Sequence, residues 1–158
     1  MFKSNPPIFI YLLFVLVNPG LTMGSEKGAL GTRIPSTTLT NTENQKVNLL
    51  DFKDAKVMVL AFLGTNCPVA NAYLPKLEEL SSKFQDSKVQ FIGIYANSFD
   101  SFERVRKHRE EYKISFPTLL DHQQTSTELL HVNRIGEVVV LDARRVVRYP
   151  VSYTHLRA

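Results

Sequence analysis

The sequence predicts an α/β domain with a mixed central sheet flanked by helices on both faces. Two continuous apolar runs, residues 56–64 and 89–97, have the length and boundaries of strands that are buried on both faces. A helical pattern follows each run, as in alternating strand–helix units. The 158 residues are 44% hydrophobic and 22% charged, which fits one globular domain with a substantial core.

The first half of the domain opens with short β-prone segments. Residues 33–53 predict a hairpin with a polar turn at 41–44 and a short final turn at 49–52. The strand at 56–64 is followed by a turn containing Cys67 and then by a helix. That helix carries apolar residues at spacings of three and four, which predict one buried stripe: Val69, Tyr73, Leu77, Leu80 and Phe84.

The second half predicts a helix, a short helix and a closing pair of strands. Asp100, three residues before Glu103, resembles a capping box and predicts a helix that ends near Tyr112. The segment "FPTLLD" is extended, and "TSTELLHV" has the pattern of a short helix. "EVVVLD" and "RRVVRY" predict two strands joined by a tight turn at 142–144.

The two ends of the chain differ from the domain between them. Residues 1–24 have a basic start, the ten-residue apolar run "IFIYLLFVLV" and then small residues, the layout of a signal peptide. We therefore expect an exported protein, periplasmic or extracellular, with no stable membrane span in its mature form; a retained anchor is the alternative. Residues 25–150 form the predicted domain. The last segment, 151–158, resembles read-through of a sequencing adapter, and we interpret it as an adapter-derived or disordered tail.

Charge and histidine content exclude several function classes. Lys and Arg outnumber Asp and Glu by 19 to 15, and the excess is scattered, so we expect no nucleic-acid partner. The histidines lack metal-ligand spacing, so we expect surface or capping roles for them and no metal site: His108, His122, His131 and His155. The sequence shows no motif for a bound cofactor.

Cys67 is the one cysteine of the chain, and it lies between a buried strand and a helix start. Unpaired N–H groups of a first helical turn, together with the helix dipole, favour an anion and therefore a thiolate. Pro68 fits the first helical position because its missing N–H would have no partner there, and Thr65 and Asn66 add polar groups. The position predicts a reactive thiol; the alternative is a cysteine that acts as a small buried hydrophobic residue.

The segment "FLGTNCP", with Pro75 eight residues after Cys67, resembles the active-site region of the thioredoxin-like redoxins. This AhpC/TSA group includes peroxiredoxins and secreted thiol-disulfide reductants. The similarity extends from "IPSTTLTNTENQKVNLLDFK" through "FIGIYAN" and "FPTLLD" to "EVVVLDARRVVRY", and "NCPVAN" resembles the signature of exported bacterial members. The resemblance implies a thioredoxin-like fold in which Cys67 is the redox nucleophile, with Thr65 and Asn66 beside it.

The chain departs from the redoxin pattern at three places. Ala70 stands where dithiol enzymes have their second cysteine. Gly136 stands where thioredoxins have a substrate-binding cis-proline, and Arg134 lies two residues before the place of a peroxiredoxin arginine. Thr65 is two residues before Cys67, whereas peroxiredoxins have a threonine three before it. We expect Pro68, Gly136 and Arg134 to contact substrate.

These features leave two reactions open. The Cys67 thiolate attacks either a peroxide, giving a sulfenic acid, or a disulfide, giving a mixed disulfide. Either product needs an external thiol, or a thiol protein, to restore Cys67. A third interpretation is a non-catalytic thioredoxin-fold binding module, which Ala70 and Gly136 favour.

Overall fold

A seven-stranded mixed sheet forms the centre of the molecule. The computed structural model describes residues 30–152, with side chains to residue 150. The strands are β1 (Thr38–Asn41), β2 (Lys46–Asn48), β3 (Val57–Leu63), β4 (Val89–Tyr95), β5 (Thr118–Leu120), β6 (Glu137–Leu141) and β7 (Val147–Ser152). They are arranged in the order β2-β1-β5-β4-β3-β6-β7, and only the β3–β4 and β4–β5 pairs among them are parallel. The predicted mixed sheet is confirmed.

Helices cover both faces of this sheet. They are α1 (Pro68–Lys83), α2 (Phe102–Glu111) and α3 (Thr125–Leu130), with short 3-10 turns at Leu49–Asp51 and Gln85–Ser87. One core packs the α1 and α2 side chains Leu74 and Val105 against Leu63 of β3, whereas the other packs Leu130 of α3 against Leu60. The alternation along β3 supplies both cores because successive strand residues face opposite sides.

The buried face of α1 differs from the predicted stripe. Its buried residues are Ala70, Leu74 and Leu77, while Val69 and Phe84 are exposed. The predicted stripe is therefore wrong at its two ends, although Leu77 belongs to both sets. The reason is that Ala70 and Leu74 face the sheet directly, which rotates the core face by one residue relative to the pattern of large side chains.

The start of α2 also differs from the prediction. Ser101 is the N-cap, and its hydroxyl accepts a hydrogen bond from the N–H of Arg104 at 3.3 Å. Asp100 is buried instead and bonds to the loop that precedes Cys67. Either residue type suits an N-cap, and the tertiary contact decides between them.

The predicted end segments lie mostly outside the described residues. The signal peptide at 1–24 falls entirely there, as does the tail from residue 153. β7 runs to Ser152, two residues into the predicted tail, and pairs Val151 with Val138. Within residues 30–152, none of the helices has the length and apolarity needed to cross a bilayer.

Candidate active site

Cys67 lies at the N-terminus of α1, where the chain leaves the central strand β3. It is the N-cap residue, with φ −92° and ψ 105°, and Pro68 follows at the start of the helix. The Cys67 N–H donates to the carbonyl of Gly64 at 3.1 Å, and the Cys67 carbonyl accepts the N–H of Asn71 at 3.0 Å. A tight turn therefore delivers the thiol to the end of a helix whose first N–H groups have no intrahelical partner.

The thiol is half-buried, and it is a free cysteine. On one side it packs against the core beneath α1, and it makes no capping hydrogen bond to the helix. The neighbouring residues Asn66, Pro68 and Val69 are exposed. Cys67 is thus neither sealed in the interior nor distant from a helix start.

Thr65 is held by a buried carboxylate. Its hydroxyl donates to Asp100 Oδ1 at 2.5 Å, and its backbone N–H donates to the same oxygen at 3.3 Å. Asp100 is only 2% exposed, and its Oδ2 has no hydrogen-bond partner among the described residues. The backbone carbonyl of Asp100 accepts a bond from His122 Nε2 at 2.9 Å. This pairing fixes the loop between β3 and Cys67 to the start of α2.

Gly136 lies next to the same loop, across the end of β3. Its φ is +92°, and its N–H donates to the carbonyl of Phe62 at 2.8 Å. A proline at this place would lack that N–H and would require a φ near −65°. Gly136 therefore bonds to the end of β3 with a backbone conformation and an N–H that proline cannot provide.

Arg134 and Ile135 border a cleft beside the end of β3. The cleft has a volume of about 260 Å³ and is also lined by Phe62, Asn97 and Thr127. Arg134 is exposed, and the side chain of Ile135 lies against Gly64, where an added Cβ would stand 2.8 Å from Ile135 Cδ1. The structure therefore places Arg134 and Gly136 on the segment that faces the Cys67 loop.

His108 is a site residue that the sequence analysis missed. The predicted surface or capping role is wrong for it, because it is only 4% exposed. Its Nδ1 is 2.8 Å from the Tyr95 hydroxyl, and its Nε2 is 3.0 Å from Oδ1 of Asn71. Asn71 in turn donates from Nδ2 to the carbonyl of Thr65 at 3.3 Å. The motif letters "NCPVAN" contain Asn71, but only the packing of α2 against α1 shows its partner.

Ala70 marks the place of a missing second thiol. It is fully buried in the first turn of α1, three residues after Cys67. The chain has no other cysteine. Among residues 30–152, no three His, Cys, Asp or Glu side chains are grouped to hold a metal ion.

Comparison with known proteins agrees with this architecture. The AhpC/TSA family matches residues 30–150. The chain belongs to the AhpC/TSA family. As a redoxin of this family, it is 31% identical over 127 residues to the thiol-disulfide oxidoreductase ResA of Bacillus thuringiensis subsp. konkukian, which covers 75% of this chain and 72% of that protein.

Solved structures show the same thioredoxin-like fold. A hypothetical protein of Sinorhizobium meliloti superposes on this redoxin with a TM-score of 0.73 at 22% identity, covering 78% of this chain and 70% of that chain. A secreted Mycobacterium tuberculosis disulfide oxidoreductase homologous to Escherichia coli DsbE gives a TM-score of 0.64 at 20% identity, covering 74% and 83%. The predicted thioredoxin-like redoxin fold is confirmed.

Proposed function

We propose that this redoxin catalyses thiol–disulfide exchange with Cys67 as its nucleophile. The observation that carries the proposal is the half-buried Cys67 at the N-cap of α1, between the exposed residues Asn66 and Pro68. The ResA relatives, which are thiol-disulfide oxidoreductases, support a disulfide as the substrate. The position of the sulfur at the positive end of the α1 dipole is the proposed physical basis of its reactivity.

The reaction has two balanced steps. The Cys67 thiolate attacks one sulfur of a substrate disulfide, forming a mixed disulfide and releasing the other sulfur as a thiolate that takes up a proton. An external thiolate then attacks the substrate sulfur of the mixed disulfide, and Cys67 leaves as a thiolate. The net change moves the disulfide from one pair of sulfurs to another, and the external thiol supplies the reducing electrons. The second step needs that external thiol because Ala70 offers no sulfur.

Exposed apolar side chains on three segments that adjoin the Cys67 loop favour a polypeptide substrate. Val69 is 52% exposed in the first turn of α1, Phe99 is 74% exposed next to Asp100, which binds Thr65, and Ile135 is 38% exposed and lies against Gly64. Apolar groups exposed near a site are typical of a binding surface. Further proposed contacts to the substrate come from Asn66, Pro68, Arg134 and Gly136.

Trapping of the mixed disulfide tests the proposed reaction. The protein is incubated with a peptide that carries one disulfide, the reaction is quenched with acid, and adducts are measured by mass spectrometry. We expect one peptide on Cys67, release of that peptide on addition of dithiothreitol, and no adduct with Cys67→Ser. Consumption of hydrogen peroxide that requires Cys67, without adduct formation, would show the peroxide reaction instead.

The binding-module interpretation rests on Ala70 and on the glycine at position 136. Ala70 lacks the second sulfur of a dithiol thioredoxin, and Gly136 lacks the ring of its proline. This interpretation predicts that Cys67→Ser binds the same peptide with unchanged affinity and that the native protein forms no adduct. Peptide affinity and adduct formation, measured side by side, distinguish the module from the enzyme.

We further propose that the protein is exported and that its leader is removed near Gly24 or Ser25. The support is the apolar run at 8–17, followed by a breaker and small residues. N-terminal sequencing of the protein recovered from the periplasm or medium of a bacterial host tests this. A protein that retains its first 24 residues and sediments with membranes would instead show a retained anchor.

A further inference from the structure

We infer that Asn71 is a positioning residue that holds the Cys67 loop for reaction, and that buried His108 and Tyr95 orient the Asn71 side chain. The inference deepens the proposed thiol–disulfide exchange and rests on it. Asn71 lies in the first turn of α1, and it contacts the loop at two points. Its backbone N–H bonds to the Cys67 carbonyl at 3.0 Å, and its side-chain amide bonds to the Thr65 carbonyl at 3.3 Å. One residue thus fixes both sides of Asn66.

The donor and the acceptor of each hydrogen bond between Thr65 and Tyr95 follow from the Thr65 carbonyl at one end of the series. The Thr65 carbonyl can only accept, so the Asn71 amide nitrogen donates to it and the Asn71 oxygen faces His108. That oxygen can only accept, so His108 Nε2 carries a proton. In a neutral imidazole Nδ1 is then the acceptor, and the Tyr95 hydroxyl donates to it at 2.8 Å. Every link from Tyr95 to Thr65 therefore has a compatible donor and acceptor.

Burial supports the neutral form of His108. The imidazole is 4% exposed, and burial lowers its pKa below the usual value, against smaller opposing effects of Glu111 and Asp100. Its ring also contacts Tyr112 at a centroid distance of 4.6 Å and Tyr95 at 5.8 Å. Both aromatic contacts limit rotation of the ring. His108 consequently presents Nε2–H to Asn71 in a fixed direction.

The loop is clamped from two sides by this arrangement. Asp100 holds the N–H and hydroxyl of Thr65, while Asn71 holds its carbonyl. Reactions at a positioned group lose rate steeply when the group moves, by as much as about 100-fold for a displacement near 1 Å. Loss of the Asn71 amide should therefore reduce reactivity at Cys67 without removing the thiol.

The experiment measures the second-order rate constant of Cys67 with 5,5′-dithiobis(2-nitrobenzoate) in the full chain. We expect Asn71→Leu to lower it roughly 10- to 100-fold, and Asn71→Asp, which keeps the size and the acceptor but loses the donor to Thr65, to lower it as well. His108→Leu should lower it less. The matched control is Glu78→Leu on the same helix, because Glu78 bonds Ser115 instead of the Cys67 loop. We expect Glu78→Leu to react at the native rate.

A double-mutant cycle separates positioning from a general structural role. If His108 acts through Asn71, His108→Leu has no further effect in the Asn71→Leu protein. Equal slowing by His108→Leu in the native and the Asn71→Leu proteins would overturn the action of His108 through Asn71. A native rate for folded Asn71→Asp would overturn the role of Asn71. Native Cys67 that fails to form any adduct would instead overturn the proposed reaction, so the two failures are distinguishable.

Discussion

At the scale of single residues, the candidate site contains the buried carboxylate of Asp100, whose contact with Thr65 no local sequence pattern indicates. Asp100 is 2% exposed, and both of its described side-chain bonds come from Thr65. A carboxylate removed from water needs such donors, because leaving a buried charged acceptor unpaired is costly. The hydrogen bonds therefore have two effects: they compensate for the burial of the Asp100 carboxylate, and they fix the position of Thr65.

Thr65→Val should expose this dependence. The substitution keeps the shape of the side chain but removes the hydroxyl, which leaves Asp100 with one weak bond from the backbone N–H. We expect the free energy of unfolding, measured in urea, to fall by about 1–3 kcal/mol. Thr65→Ser keeps the hydroxyl and serves as the control. Equal stability of the Val and Ser proteins would contradict the account of this pair.

Stability should also depend on pH through His108. Because burial lowers its pKa in the folded protein, the unfolded chain binds more protons than the folded one in mildly acidic solution. The contribution of His108 to stability is thus present above the ordinary pKa of about 6.5 and is lost as the pH falls through the lower folded value. We expect the free energy of unfolding to decrease as the pH falls below about 6.5.

His108→Gln identifies the source of that pH dependence. Glutamine does not titrate, so the slope of stability against pH between about 5 and 7 should be smaller in this variant than in the native protein. Urea unfolding at several pH values measures both slopes. If the two proteins have the same slope, His108 is not the group responsible.

Residue-level prediction from sequence found Cys67 but not its supporting network. A lone cysteine between an apolar run and a helical pattern is visible in the sequence because strand, turn and helix start are local features. Asn71, Asp100 and His108 are brought together by the packing of α2 against α1, over separations of up to 37 residues. No local pattern encodes that contact, so the sequence predicts only a surface or capping role for this histidine.

At the scale of elements, the first turn of α1 bears on how the proposed mixed disulfide would be released. Residues three apart on a helix are neighbours, with Cβ atoms about 5–6 Å apart. Ala70 is such a neighbour of Cys67, and it is fully buried beneath the turn. Placing a sulfur there should change a single-thiol site into a two-thiol site.

Ala70→Cys should therefore release a bound peptide without an external thiol. The new thiol attacks Cys67 in the mixed disulfide, the peptide leaves as a thiol, and an internal disulfide remains. Mass spectrometry should show loss of the peptide adduct and a protein lighter by two hydrogen atoms. Ala72→Cys, at an exposed position on the same helix, is the control and should keep its adduct. A persistent adduct on Ala70→Cys would contradict the proposed geometry.

The elements themselves were predicted more reliably than their faces and caps. The apolar runs at 56–64 and 89–97 correspond to β3 and β4, because strands buried on both faces have little choice of composition. The buried face of α1 was misplaced by about one residue, since the small residue Ala70 gives no signal in a pattern of large side chains. The cap of α2 was misassigned because Asp100 and Ser101 are both good caps.

At the scale of the whole molecule, the two cores give Cys67 a rigid support. β3 lies between β4 and β6 and contributes side chains to both cores, and the Cys67 turn follows directly from its end. Sites built on regular elements hold their geometry better than sites on loops. The fold class was predictable from the order of elements and the redoxin resemblance, whereas the exposure of Phe99 and the contact of Ile135 with Gly64 required the tertiary structure.

The alkylation rate of Cys67 shows whether the start of α1 activates this thiol. The rate of reaction with iodoacetamide at neutral pH is measured in the native protein, with Cys67→Ser as the blank, and is compared with the rate of an unstructured peptide that carries the same seven residues, 65–71. If the start of α1 favours the thiolate, the native protein reacts faster than the peptide. A native rate equal to or below that of the peptide would contradict the assignment of Cys67 as an activated nucleophile.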